Sequence, residues 1–113
     1  MPTYGQLLDD REQTRARCRE AARVEVCDRL RLALQTLVPG ERVLVFGSVA
    51  RKGGPFRADS DVDIAFEHVP ARWSPYELAS RIEELVGRPV DLVTLSECRF
   101  EEKLRREGEW WTL

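Results

Sequence analysis

Three short apolar runs, separated by helical patterns, limit what this chain can fold into. The runs cover residues 42–46, 61–67 and 89–95, and their β-branched and large apolar side chains are typical of buried strands. Helical patterns precede the first run, separate the second from the third, and follow the third. The predicted order is helix, strand, strand, helix, strand, helix, which indicates an α/β (α+β) fold with a small sheet covered by helices.

The first helical pattern is the longest, running from about residue 10 to residue 38. Pro39 and Gly40 stop it. Its apolar positions recur at the spacing of one helix face: Val26, Leu30, Leu34 and Leu37.

Two further helices have recognisable start and stop signals. Ser74 and Pro75 begin the second helix and Gly87 ends it. Ser96 is predicted to cap the third, which runs to about Glu107. The predicted core positions of the second helix are Leu78, Ile82, Leu85 and Val86.

A length of 113 residues allows one compact domain. We therefore expect a single domain over 1–113, with a helical segment at 1–39, a central core at 42–95, and a helix and tail at 96–113. We also expect no second domain.

Composition excludes several classes of function. The net charge of −2 argues against a dedicated nucleic-acid surface. No apolar run approaches the roughly 18 residues that cross a bilayer, and we expect no secretory signal, because no basic segment followed by an apolar stretch is visible near residue 1. Cys18, Cys27 and Cys98 fit neither a disulfide framework nor a zinc site. We expect buried, reduced thiols in a cytoplasmic protein.

Two surface-type features leave their role open. Four arginines recur at four-residue spacing in the first helix: Arg11, Arg15, Arg19 and Arg23. They form either a solvated face, neutralised by nearby acids, or a surface for an acidic partner. Trp110 and Trp111 near the end of the chain either pack into the core or anchor an interface.

Acidic residues lie on two of the predicted strands. Asp61 and Asp63 are two residues apart, so their side chains project to the same side of the sheet. Asp91 sits inside an otherwise apolar strand, where a bare charge is costly unless something compensates it. If the three carboxylates met at roughly 5 Å, each pair would repel by about 3 kcal/mol. A raised pKa or a bound cation would be needed, and oxygen ligands favour Mg²⁺ or Mn²⁺.

A candidate phosphate-binding segment follows the first strand. Gly47 allows close approach of the backbone, and Ser48 offers a hydroxyl and an amide at the start of a helical turn. Arg51 follows one turn later.

These motifs, in this order, resemble the nucleotidyltransferase superfamily typified by DNA polymerase β and kanamycin nucleotidyltransferase. The closest resemblance is to its minimal nucleotidyltransferase (MNT) branch, and it covers about residues 42 to 95. The matching segments are Phe46-Gly47-Ser48-Val49-Ala50-Arg51, Ser60-Asp61-Val62-Asp63-Ile64 and Val90-Asp91-Leu92-Val93.

The resemblance implies a mixed sheet flanked by helices, and a reaction in which a hydroxyl attacks the α-phosphorus of a nucleotide while pyrophosphate leaves. Asp61 and Asp63 would hold Mg²⁺, and Asp91 would complete the metal site and help to take the proton. Gly47 and Ser48 would bind the terminal phosphates, and Arg51 would neutralise developing charge.

The resemblance also implies a partner. MNT proteins commonly pair with a helical HEPN ribonuclease toxin and transfer AMP from ATP to a tyrosine of it. The predicted function is therefore an AMP-transferring antitoxin that forms a hetero-oligomer with its toxin. The alternatives are a binding antitoxin that acts by occlusion, and nucleotidylation of a small molecule such as an aminoglycoside.

Overall fold

Three helices and four strands make up residues 3–113, the part of the chain that the computed structural model describes. In chain order they are α1 (Tyr4–Leu37), β1 (Arg42–Phe46), β2 (Val62–Phe66), α2 (Pro75–Val86), β3 (Val90–Thr94), α3 (Glu101–Glu107) and β4 (Glu109–Thr112). Single 3₁₀ turns follow β1 at Ser48–Ala50 and β3 at Leu95–Glu97.

The four strands form one mixed sheet in the order β3-β2-β1-β4. β1 lies antiparallel to both of its neighbours, β2 and β4, whereas β2 and β3 run parallel. The parallel pair is connected through α2, as parallel strands require a crossover. The predicted α+β fold with a small mixed sheet is confirmed.

The two faces of the sheet pack against different elements. Alternate residues of each strand, such as Val43 and Val45 of β1, join the main core with α1 and α2. The other face carries a smaller cluster around Leu44, Ala65 and Leu95, to which α3 adds Leu104. Asp63 is on this second face because it alternates with Val62 and Ile64, which belong to the main core.

α1 is longer than predicted and extends far beyond the sheet. It begins at Tyr4 rather than near residue 10, because Thr3 and Gln6 form a capping box in which each side chain accepts a hydrogen bond from the other's backbone amide. Every residue from 3 to 19 is exposed. Three of the four predicted apolar positions, Val26, Leu30 and Leu34, are buried, and the fourth, Leu37, is partly buried. Arg23 and Ala33 are also buried.

α2 follows its predicted signals closely. The hydroxyl of Ser74 accepts a hydrogen bond from the amide of Glu77 at 3.1 Å, and the helix ends at Gly87. Leu78 and Ile82 are fully buried as predicted. The prediction for Leu85 is wrong, because that side chain is 53% exposed on the outer side of the helix.

The end of the chain differs from the prediction. Ser96 lies in a 3₁₀ turn and caps no α-helix, and α3 begins only at Glu101. The turn buries Leu95 completely in the smaller cluster. The predicted tail is the strand β4, whose Trp111 enters the main core with 5% of its surface exposed while Trp110 packs on the opposite face. Both tryptophans therefore serve the packing of the sheet.

The three cysteines are free thiols. Cys27 and Cys98 are partly buried, but Cys18 is exposed on the projecting part of α1, so the expectation that all three are buried is wrong. Although α1 runs for 34 residues, none of the helices within residues 3–113 combines the length and the apolar character needed to cross a membrane.

Candidate active site

Two of the predicted carboxylates lie side by side on the second face of the sheet. Asp63 of β2 and Asp91 of β3 are register partners in the parallel pair, so their side chains project from the same face. Asp61 immediately precedes β2, two residues before Asp63. The strand order places β2 inside the sheet and β3 at its edge.

The electrostatic cost of this arrangement falls on Asp63. Partial burial raises the pKa of Asp63 to about 6, and the negative charges of Asp91 and Asp61 add to the effect. From the sequence, this cost is expected at Asp91, but that side chain is exposed because β3 is an edge strand. Of the side-chain hydrogen bonds and ion pairs within residues 3–113, none compensates these three carboxylates.

The donor set suits a hard divalent cation. Three carboxylates without a histidine or cysteine beside them provide the oxygen ligands that Mg²⁺ and Mn²⁺ prefer. The charges of Asp91 and Asp61 act on Asp63, but within residues 3–113 no three carboxylate, histidine or cysteine side chains lie close enough together to hold a metal ion as they stand. Ligation by all three would need side-chain rotation, which the exposure of Asp61 and Asp91 permits.

Gly47 brings the chain directly against Asp63. Phe46, the last residue of β1, is paired with Asp63 across the antiparallel ladder, and Gly47 follows with a φ of 72°. A Cβ at this position would overlap Oδ2 of Asp63 and lie 3.1 Å from its Cγ. Only glycine satisfies both the backbone conformation and the space, so the Gly-Ser turn and the acidic strand are in direct contact.

Ser48 opens the 3₁₀ turn, as the sequence indicated. The amide of Ala50 donates to the carbonyl of Gly47 at 3.2 Å, and that of Arg51 donates to the carbonyl of Ser48 at 3.3 Å. Arg51 is exposed just beyond the turn, and the chain turns again where the amide of Gly54 donates to the carbonyl of Arg51. We refer to residues 47–54 as the 47–54 loop.

Three residues that were not assigned to the candidate site from the sequence hold the segment between β1 and β2. Arg23 and Glu20 of α1 contact the 47–54 loop. Arg88, just after α2, donates from Nη1 to the carbonyls of Arg57 and Ser60 at 3.0 and 3.1 Å and lies over the ring of Phe56. The contacts of Arg88 therefore hold the backbone of residues 57–60, directly before Asp61.

Arg23 was predicted to share a surface stripe with the other three arginines of α1. Arg11, Arg15 and Arg19 are exposed, but Arg23 is only 6% exposed, so the prediction is wrong for this residue. The available signal was the position itself, because residue 23 continues the buried spacing of Val26 and Leu30.

Comparison with known proteins gives the family. A model of the nucleotidyltransferase domain matches residues 27–109, which include β1, the 47–54 loop and all three aspartates. No curated protein and no solved structure matches the chain significantly. Since the matched region covers most of the sequence, this chain belongs to the nucleotidyltransferase domain family, whose members transfer nucleotidyl groups.

Proposed function

We propose that this chain is a minimal nucleotidyltransferase that acts as an antitoxin, transferring AMP from ATP to a tyrosine of a HEPN ribonuclease toxin. The observation that carries the reaction is the register of Asp63 and Asp91 beside the Gly47-Ser48 turn. The family match supports nucleotidyl transfer in general. The protein acceptor is supported by the resemblance of the three motifs to the MNT branch.

The proposed reaction is a single displacement at phosphorus. The hydroxyl oxygen of the acceptor tyrosine forms a bond to the α-phosphorus of ATP. The bond between the α-phosphorus and the oxygen that bridges it to the β-phosphorus breaks, and pyrophosphate leaves with the electron pair. The hydroxyl proton passes to the carboxylate of Asp91, whose exposure allows it to lose that proton to water.

The metal and phosphate ligands have separate positions. Asp61, Asp63 and Asp91 would hold Mg²⁺, and a bound cation neutralises charge on the phosphates and on the departing pyrophosphate. The turn at Ser48 would bind the terminal phosphates through its hydroxyl and backbone amides. Arg51, exposed at the end of the turn, would neutralise charge that develops on the nucleotide.

The projecting half of α1 supports a protein partner. Its first turns expose three large apolar side chains, with Tyr4 78%, Leu7 44% and Leu8 42% exposed. Exposed apolar residues grouped on one element are typical of protein interaction sites. The exposed arginines that follow on the same helix belong to a residue type enriched at interfaces.

A mass measurement tests the proposal. The protein is incubated with ATP, Mg²⁺ and a HEPN protein encoded next to it, and the intact mass of the HEPN protein is measured. We expect it to gain one or more AMP units and to lose ribonuclease activity. Asp91→Asn should abolish the gain, whereas Asp59→Asn, which removes an exposed carboxylate of the loop before β2, should not.

Other outcomes would identify a different function. A HEPN protein that is inhibited but unmodified, equally by the wild type and by Asp91→Asn, would indicate a binding antitoxin that acts by occlusion. Labelling of an aminoglycoside but not of the HEPN protein would indicate a small-molecule acceptor. Absence of any nucleotide transfer would contradict the enzymatic proposal as a whole.

A further inference from the structure

One charged side chain is buried between α1 and the loop that follows β1. Arg23 is only 6% exposed, and its Nη1 donates to the carbonyl of Val49 at 2.8 Å. The same carbonyl accepts a second, longer contact from the thiol of Cys27. Burial of a charge is costly unless it is paired and hydrogen-bonded, so the remaining donors of Arg23 need a partner.

Glu20 is that partner, and it extends the contact to the far side of the loop. Nε of Arg23 donates to both carboxylate oxygens at 3.1 and 3.0 Å, and Nη2 donates to Oε1 at 2.6 Å. Oε2 also accepts from the amide of Gly53 at 2.9 Å. The pair of side chains therefore binds the loop at Val49 and again at Gly53.

The charge state of Glu20 suits this arrangement. The hydrogen bonds from Arg23 and from the amide of Gly53 lower the pKa of Glu20 to about 2. The carboxylate consequently stays ionised over the whole physiological range and keeps both contacts.

The two contact points lie next to the residues that the proposed function assigns to phosphate. Ser48 precedes Val49 directly, and Arg51 lies between Val49 and Gly53. Neither Glu20 nor Arg23 belongs to the loop or to the acidic strands; both come from the part of α1 where the helix first meets the core.

We propose that the Glu20–Arg23 pair is a positioning device that holds the 47–54 loop in the conformation that binds the triphosphate of the nucleotide. The inference rests on the proposed nucleotide-binding role of that loop. The pair acts through Val49 and Gly53 and does not touch the nucleotide. A loop that is already ordered loses less conformational freedom when the ligand binds, so the pair sets nucleotide affinity more than turnover.

The test compares two matched substitutions on the same helix. Glu20→Gln removes the negative charge and leaves one acceptor oxygen where the carboxylate had two, so the three hydrogen bonds from Arg23 and the one from the amide of Gly53 cannot all persist. Glu25→Gln removes an exposed ion pair with Arg29 of similar length, 2.7 Å, that has no contact with the loop. Arg23→Lys retains the positive charge, but lysine has one side-chain nitrogen, whereas Arg23 uses three nitrogens to contact Glu20 and the carbonyl of Val49.

The first readout is amide hydrogen exchange of residues 48–54 in the protein without nucleotide. We expect about tenfold faster exchange in Glu20→Gln, an intermediate increase in Arg23→Lys, and no change in Glu25→Gln, since a hydrogen bond to a charged group is worth roughly a factor of ten or more. The second readout is steady-state transfer, where KM for ATP should rise about tenfold in Glu20→Gln while kcat changes less than about twofold.

The outcomes separate the positioning role from the proposed function. Unchanged exchange in Glu20→Gln, or faster exchange with an unchanged KM, would overturn the positioning role. A fall in kcat with KM unchanged would overturn it too, because it would place the pair in the chemical step. A wild-type protein that binds no nucleotide would instead overturn the proposed function, and the exchange measurement, made without nucleotide, would still report whether the pair orders the loop.

Discussion

The carboxylate of Asp63 lies against the backbone of Gly47, with no space between them for a side chain. A Cβ at residue 47 would overlap Oδ2 of Asp63 and lie 3.1 Å from its Cγ. The contact is a consequence of strand pairing, because Phe46 and Asp63 are partners in the ladder of β1 and β2. The Gly-Ser turn and the first acidic strand are therefore packed directly against each other.

This contact predicts a large effect of Gly47→Ala. The substitution places a side chain at a φ of 72° and displaces the carboxylate of Asp63, so we expect a loss of about 1–3 kcal/mol in the free energy of unfolding and more than about a tenfold loss of nucleotidyl transfer. Urea unfolding and a transfer assay measure the two effects. Gly40→Ala is the control, since its φ is 81° but no atom lies within 4 Å of the added carbon. Equal losses of activity in the two variants would contradict the role of the contact.

The raised pKa of Asp63 predicts how stability varies with pH when no metal is bound. A carboxyl group with a pKa of about 6 in the folded protein and 3.8 in the unfolded chain binds more protons when folded. The favourable contribution of Asp63 to the free energy of unfolding is therefore complete below about pH 4 and is lost as the pH rises through about 6. Because the side chain is only half-buried, we expect the effect to be about 1 kcal/mol.

Asp63→Asn should remove this pH dependence. In a buffer with a chelator, the variant should be about 1 kcal/mol more stable than the wild type at pH 8 and about equally stable at pH 4. Thermal or urea unfolding at both pH values measures the difference, and Asp59→Asn controls for the change in net charge. A variant that is no more stable than the wild type at pH 8 would show that Asp63 is not under electrostatic strain.

The projecting half of α1 should be dispensable for folding. Residues 3–18 are all exposed, so a chain that starts at residue 19 should lose less than about 0.5 kcal/mol in the free energy of unfolding. If the partner binds this part of the helix, the same deletion should weaken binding of the HEPN protein more than tenfold. The double substitution Leu7→Ser and Leu8→Ser tests the same surface in the full chain. A loss of several kcal/mol on deletion would contradict the exposed position of these residues.

β4 should contribute strongly to stability through Trp111. The side chain is 5% exposed in the main core, with the guanidinium of Arg31 lying 4.2 Å from the centre of its ring. We expect Trp111→Ala to cost about 3–5 kcal/mol and Trp111→Phe much less, because phenylalanine refills most of the volume. Trp110→Ala, at a half-buried position on the opposite face, is the comparison. Similar costs for the two alanine variants in urea unfolding would contradict the difference in burial.

Local signals in the sequence predicted most of the fold. The runs at 42–46 and 61–67 contain β1 and β2, and the cap at Ser74 and the stop at Gly87 define α2. These predictions succeed because each depends on a few neighbouring residues. β4 was not predicted, since a run of four residues with two adjacent tryptophans has too little alternation to distinguish a strand from a tail.

The residues of the candidate site could be predicted from the sequence, but their burial and their contacts could not. The motifs located Gly47, Asp63 and Asp91, which the structure places together. Which carboxylate is desolvated depends on strand order, and no local sequence pattern contains the strand order. The cost of burying a charge was therefore expected at Asp91, which lies on the edge strand. The contacts of Arg23 and Arg88 with the loops also join residues far apart in sequence.

The spacing of Asp63 and Asp91 is set by the sheet and by no loop. The two residues are partners on hydrogen-bonded parallel strands, which lie about 4.8 Å apart in any sheet. The crossover through α2 can change in length or sequence without altering that spacing, whereas a side chain at Gly47 of the 47–54 loop would displace the carboxylate of Asp63. The sheet backbone therefore fixes the separation of these two carboxylates, and divergence in the crossover leaves it unchanged.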